Sequence, residues 1–389
     1  MTDITPFTVH VPEADLDDLV SRLEGTRWAQ PDPNGDWSRG VPLDYLKQLA
    51  GYWATGFDWR AQEATLNRLP QFTTTIDGQT IHFVHLRSSQ PNAMPLLLCH
   101  GWPGSFVEYQ KIVPPLAEPL AHGAAAADAF DVIIPSLPGF GFSTPLSDAG
   151  WTVARIAEAY ATLMEQLGYR RYGAHGTDIG SGIISHLASH YPDRLIGMHV
   201  GSDRMGLNYV GAFLPMPKDL SEAEIAELNA IKAKGRDGDG YFRQQSTKPQ
   251  TLAYGLGDSP VGQLAWIVEK FREWTDPARS LPEQAVDRDQ LLANVALYWF
   301  TNTGGSSAQF YWESMHSAAG WTAPSSVPTG WAVFHAHPLV RRIMDPQHRI
   351  AHWTECPSGG HFPAMEEPEF LTADIRDFFR SLRSGPSAD

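Results

Sequence analysis

Gly176-Thr177-Asp178-Ile179-Gly180 constrains this chain more than any other stretch, because it sets a carboxylate between two glycines where an apolar run gives way to a helical pattern. A turn of the form small-x-nucleophile-x-small bends the backbone too sharply for side chains on its flanks, and it pushes the apex residue out toward substrate. Serine at such an apex attacks acyl carbon. An aspartate attacks a saturated carbon and is left as an ester on the enzyme, which makes Asp178 the candidate nucleophile. The same five residues would also serve as a plain surface turn, so the reading depends on its surroundings.

Those surroundings have the periodicity of an α/β protein. Phe72 to Ile76 and Ile81 to Leu86 read as two strands joined through Asp77-Gly78, a hairpin signal. Strand then alternates with helix. Pro95 to Cys99, Val132 to Pro135, Tyr169 to Ala174, Leu195 to Val200, Trp331 to Phe334 and Ala351 to Cys356 are short apolar runs bounded by turn residues. Helical patterns cover Trp151 to Leu167, Ser181 to His190 and about Pro368 to Leu382. Runs buried on both faces imply a doubly wound, mostly parallel sheet. Asp178 then falls at a strand's carboxyl end, where such folds place their sites.

Two segments break this order. Between about Met205 and Gly320 the alternation fails and the sequence turns helical and mixed, with a polar stretch at Lys232 to Gly240. An insertion that leaves a strand's carboxyl end reads as a lid. Before the first hairpin, Leu43, Leu46, Leu49, Ala50 and Trp53 recur at helical spacing behind Pro42, amid an irregular stretch holding Trp28, Trp37 and Trp59. That segment cannot build its own core, so it is expected to wrap another part and bury its aromatics there. The division expected is 1–92 for the wrapping segment and first hairpin, and 93–205 for the first part of the core. A helical lid at 206–320 follows the sixth strand of this reading, and 321–389 completes the core.

With 389 residues, 42% of them hydrophobic, the chain is long enough for one large core with an insertion. A formal charge of −15 argues against nucleic acid or an anionic membrane as partner. Cys99 and Cys356 lie in or beside apolar runs and read as reduced thiols, and the first residues have neither a basic start nor a long apolar block. A cytoplasmic protein is expected. Its oligomeric state is open, a homo-oligomer included.

An ester on Asp178 needs a base to activate water. His361 follows the last expected strand behind Gly359-Gly360, the last place in the order nucleophile, acid, histidine of an α/β-hydrolase arrangement. The turn at His100-Gly101-Trp102-Pro103 offers the Trp102 N–H, which with that of Ile179 would form an oxyanion hole. That oxyanion would be the enzyme's own, on the Asp178 carbonyl as water attacks. His186 and His190 have a metal-binding spacing but neither a third ligand nearby nor a His-Glu-x-x-His pattern, so no metal is expected.

Nearly end to end, the chain resembles the α/β-hydrolase-fold epoxide hydrolases of the microsomal type. Phe57-Asp58-Trp59-Arg60, Pro70-Gln71-Phe72, Ile76-Asp77-Gly78, His100-Gly101-Trp102-Pro103-Gly104-Ser105 and Leu137-Pro138-Gly139-Phe140-Gly141-Phe142-Ser143 carry the likeness, with the Asp178 turn. Thr247-Lys248-Pro249-Gln250, Asp258-Ser259-Pro260-Val261-Gly262 and Gly359-Gly360-His361-Phe362 extend it. The resemblance implies an α/β-hydrolase fold and the opening of a small-molecule epoxide to a vicinal diol, with no metal or organic cofactor. It also implies two lid phenols on the epoxide oxygen, which by local sequence are Tyr241 and Tyr311.

The chain departs from that pattern in three places. Ile179 stands where many relatives have tryptophan, and His175 and Thr177 replace residues more common at the turn. The position at which relatives carry the acid that orients the histidine is His337. Asp203, just past Leu195 to Val200, is the candidate replacement, with Asp345 as runner-up; a neutral His337 would orient the base without offsetting its charge. Two other readings stay open. A haloalkane dehalogenase would use the same aspartate and histidine, and a hydrolase fold without its acid would bind a ligand and not turn it over.

Overall fold

A computed structural model of the chain describes residues 4–211, 216–317 and 325–383. Its strands are β1 (Thr5–Phe7), β2 (Gln71–Ile76), β3 (Gln79–Leu86), β4 (Met94–Cys99), β5 (Phe130–Pro135), β6 (Tyr172–Gly176), β7 (Leu195–Ser202), β8 (Thr329–Phe334) and β9 (His352–Cys356). They form one sheet in the order β1-β2-β3-β5-β4-β6-β7-β8-β9. The pairs β1–β2, β2–β3 and β3–β5 are antiparallel, and every pair from β5 through β9 is parallel. Leu96, Leu97 and Leu98 are wholly buried although neighbours on a strand face opposite ways. Both faces of the sheet are therefore covered, as a parallel sheet requires.

Register positions the site. Cys99 at the end of β4 pairs with Gly176 at the end of β6, so the loops carrying Trp102 and Asp178 leave the sheet side by side. β6 begins at Tyr172 and runs to Gly176, two residues beyond the strand expected from sequence, and the helix Ile179–His190 follows at once. The turn is thus tighter than a periodicity argument can see.

Between β7 and β8 the described residues form the helices Glu222–Gly235, Gly240–Thr247, Pro249–Asp258, Pro260–Trp274, Arg288–Phe300 and Gly304–His316. The expected boundary at 320/321 lies outside the described residues. Because β1 adds a strand that the sequence did not announce, this insertion follows the seventh strand. Its helix Arg288–Phe300 is fastened to the loop after β4 by buried polar groups. Gln290 Nε2 donates to Val107 O at 3.0 Å, Asn294 Nδ2 to Pro103 O at 2.7 Å, and Tyr298 Oη to Gly104 O at 2.7 Å. Ser105 Oγ donates to Asn294 Oδ1 at 2.7 Å. These buried donors all find carbonyl partners, so the loop and the insertion helix specify each other.

The amino-terminal segment folds as helices Glu13–Glu24, Leu43–Thr55 and Trp59–Leu66. Asp58 caps the last of these by accepting the Ala61 N–H at 3.0 Å. The segment lies against the insertion: Trp59 packs on Phe300 with ring centroids 4.9 Å apart, Tyr45 Oη donates to Glu283 at 2.8 Å, and Tyr52 Oη to Asp289 at 2.7 Å. Trp53 and Trp59 are buried, whereas Trp28 and Trp37 are only half-buried. These two lie on the outer side, where Lys47 Nζ sits 5.6 Å from the Trp28 ring and Trp37 packs on Tyr45 at 5.0 Å. Both cysteines are buried free thiols.

Candidate active site

Asp178 adopts φ 50° and ψ −125°, a backbone conformation that L-residues rarely take. The two glycines make it reachable. A Cβ on Gly176 would lie 2.5 Å from the Gly180 carbonyl, and one on Gly180 would lie 1.9 Å from Cys99 O, inside any tolerable contact. The strained apex projects its carboxylate into the space above β4 and β6. There Oδ1 accepts the Trp102 N–H at 3.0 Å, and the neighbouring Ile179 N–H also favours the ionised carboxylate. The positive end of the helix Ile179–His190 begins at this point.

His361 is held by its backbone as much as by its ring. Its N–H donates to Trp274 O at 2.8 Å. The ring meets the Trp274 edge at a centroid distance of 5.0 Å. Nε2 lies 3.2 Å from Asp178 Oδ2, and Nδ1 lies 3.3 Å from Asp203 Oδ2. The Nε2 contact is an ion pair whose N–H points off the line to oxygen, so it falls short of a hydrogen bond. Asp203 caps the short 3₁₀ turn Arg204–Tyr209, where its Oδ1 accepts the Met205 N–H at 2.7 Å and leaves Oδ2 for the imidazole.

The other acid candidates are engaged elsewhere. Asp345 accepts the N–H groups of Arg349 at 2.7 Å and Ile350 at 3.2 Å. His337 caps the helix Pro338–Met344 through Nδ1, and its Nε2 lies 3.3 Å from Glu227. Of the three, Asp203 alone has a described contact with His361.

Charge is distributed unevenly here. Burial opposes ionisation of Asp178, yet His361 and the Ile179 and Trp102 N–H groups hold its carboxyl below the usual range. Burial would likewise depress His361, but the Asp178 and Asp203 carboxylates raise it to about 10. Glu108 lies in the same layer, its Oε1 accepting from Thr177 Oγ1 at 3.4 Å, and burial pushes it up to about 8. Burial thus favours the protonated form of Glu108 and limits the negative charge beside Asp178.

Tyr241 and Tyr311 come from two different insertion helices and converge above Trp102. Tyr241 stacks on the Trp102 ring at 5.0 Å and 5°, and Tyr311 meets the same ring edge-on at 5.9 Å. Burial raises both phenols well above 10, so both carry protons at any working pH. A surface cavity of about 390 Å³ between helices Pro249–Asp258 and Gly304–His316, lined by Gln250, Tyr254 and Gln309 among others, touches none of these groups.

Of the metal candidates, His186 and His190 stack on each other at 3.8 Å and find no third ligand among the described residues. His199, His352 and Asp374 do cluster. His199 Nε2 and His352 Nε2 bond separate Asp374 oxygens at 2.7 and 2.9 Å, and His199 Nδ1 bonds His175 Nδ1 at 2.9 Å. This hydrogen-bonded chain accounts for the cluster and for the unusual His175. Trp274, Glu108 and Tyr209 border the site without having been singled out in the sequence. Only Glu108 carried a signal, as an acid inside the apolar run Phe106-Val107-Glu108-Tyr109.

Residues 4–109 match the family described as Epoxide hydrolase N terminus, and residues 94–202 match the alpha/beta hydrolase fold. A relative from Stigmatella aurantiaca (strain DW4/3-1) is 46% identical over 98% of this chain and 86% of its own length. Epoxide hydrolase 1 of Sus scrofa is 35% identical, covering 97% of this chain and 89% of its own. The chain belongs to the epoxide hydrolase family. Among solved structures, the juvenile hormone epoxide hydrolase of the silkworm Bombyx mori matches this epoxide hydrolase with a TM-score of 0.82 at 30% identity, over 98% of this chain and 95% of the other. Aspergillus niger epoxide hydrolase gives 0.81 at 31% identity, over 97% and 96%. The α/β-hydrolase fold and a hydrolase acting on ether bonds are thereby shown, and the dehalogenase and binding-only readings give way. Among the described residues, no helix of this epoxide hydrolase is long and apolar enough to cross a membrane.

Proposed function

We propose that this epoxide hydrolase works through a covalent ester on Asp178. The observation that carries the reading is the division of labour between the two carboxylate oxygens. Oδ1 accepts the Trp102 N–H, while Oδ2 faces His361. Oδ2 attacks an epoxide carbon and the C–O bond of the ring breaks. Tyr241 and Tyr311 donate to the oxygen that departs, and a proton from that pair turns the alkoxide into a hydroxyl. The helices of residues 206–320 act as the lid that delivers both phenols.

Alkylation then prepares the second step. In the ester, Asp178 has lost its charge, so one of the two carboxylates that kept His361 protonated is gone, and the imidazolium proton passes to the phenolate left by ring opening. Neutral Nε2 takes a proton from water, hydroxide adds to the Asp178 carbonyl carbon, and the growing charge on Oδ1 is met by Trp102 and Ile179. A single such donor is typically worth ~3 kcal/mol of barrier. The bond from the carbonyl carbon to Oδ2 breaks, the proton of the added hydroxyl passes to Oδ2 as it leaves with the diol, and the restored carboxylate contains one oxygen from water. Asp203 holds His361 in orientation throughout.

One experiment separates this from direct attack by water. A single turnover in heavy-oxygen water should leave the label on Asp178 and none in the diol, and Asp178→Asn should make no diol. Label found first in the diol would rule out the ester.

A further inference from the structure

The lid contributes a third phenol. Tyr209 ends the short turn that Asp203 begins, and its Oη lies 3.3 Å from Tyr241 Oη. The rings around Tyr241 fix its plane: Trp102 stacks on one face, and Trp274 and Tyr311 meet it at 5.1 and 6.0 Å with steep interplanar angles of 64° and 84°. Ring packing fixes where the hydroxyl oxygen sits. It does not fix where the hydroxyl proton points, because rotation about the C–O bond costs the ring nothing.

A phenol has one proton and can also accept. If Tyr241 donated to Tyr209, its only proton would be turned away from the substrate. If Tyr209 donates instead, it occupies an acceptor site on Tyr241 Oη and leaves the Tyr241 proton for the epoxide oxygen. We propose that Tyr209 is a positioning residue for ring opening, donating to Tyr241 Oη so that the Tyr241 proton is aimed at the leaving oxygen. As the C–O bond breaks and charge moves onto Tyr241, the same bond strengthens, because hydrogen bonds in a chain polarise one another. Asp203 and Tyr209, at opposite ends of one turn, thus serve different half-reactions. The proposal rests on Tyr241 being a donor to the epoxide oxygen.

Single-turnover kinetics on Tyr209→Phe, Tyr241→Phe and the double variant test it. Tyr209→Phe should slow ester formation roughly tenfold, the effect of losing about one hydrogen bond, while ester hydrolysis keeps its rate. In the Tyr241→Phe background the same change should cost nothing further. Equal losses in both backgrounds would mean that Tyr209 acts by packing, and the proposal would be wrong. Full-rate ester formation in Tyr241→Phe alone would overturn the donor reading of Tyr241 itself, a distinct result. Should Tyr209→Phe fold poorly, 3-fluorotyrosine at 209 decides: its more acidic hydroxyl should quicken ester formation below its pKa, and an unchanged rate would refute the relay.

Discussion

At the scale of single residues, the site is an argument between carboxylates over one imidazole. Asp203 has one oxygen committed to the Met205 N–H and the other facing His361 Nδ1, so Asp203→Asn should keep the local fold. Ester formation should change little and ester hydrolysis should fall by about 10²–10⁴, the range for losing general-base catalysis. Rapid-quench kinetics should then show alkyl-enzyme accumulating, and an unchanged turnover would remove Asp203 from the mechanism. The same arrangement has a pH signature. His361 is raised from 6.5 to about 10 by the two carboxylates. Its contribution to stability is complete below the unfolded value and is lost as pH climbs from 6.5 through about 10. Melting temperatures measured across that window should decline more steeply for the native protein than for His361→Gln, and parallel curves would contradict the charge assignment.

At the scale of elements, the turn between β6 and the helix Ile179–His190 is what the rest depends on. Gly180→Ala would drive a methyl to 1.9 Å from Cys99 O, a backbone atom that cannot step aside without shifting β4. The loss should reach at least the upper end of the ~1–3 kcal/mol usual for overpacking, with Asp178 displaced and turnover lost. Denaturant unfolding that matched the parent would show that the turn has slack. This turn was readable from sequence because its requirements are local: glycine where no Cβ fits, an apolar strand before, a helix after. His361 was readable for the same reason, behind Gly359-Gly360. Trp274 and Tyr209 were not, since their nearness to Asp178 arises from chain closure over dozens of residues and leaves no periodic trace, and Glu108 showed only as an acid in an apolar run. β1 escaped notice because a three-residue strand has too short a period to detect, and Trp28 and Trp37 proved half-buried because their segment's outer side has nothing to pack under.

Across the whole molecule, half-buried contacts join the amino-terminal segment to the insertion, and buried polar contacts that would be costly to break join the insertion to the loop after β4. Asn294 is the centre of one such joint, bonding Pro103 O and Ser105 Oγ next to the Trp102 N–H. Asn294→Ala should cost ~1–3 kcal/mol through the partners left unpaired, and it should slow ester hydrolysis by loosening the loop that carries the Trp102 donor. A variant with native stability and native hydrolysis would detach this joint from catalysis. The fastening has a further consequence for traffic. Under the proposed lid role, a roof riveted at Gln290, Asn294 and Tyr298 is not the side expected to yield to an incoming epoxide; that falls to Gly240–Thr247 and Gly304–His316, which carry the two phenols. Selection for bulkier or slimmer cargo would then act on those two helices and leave the riveted one untouched.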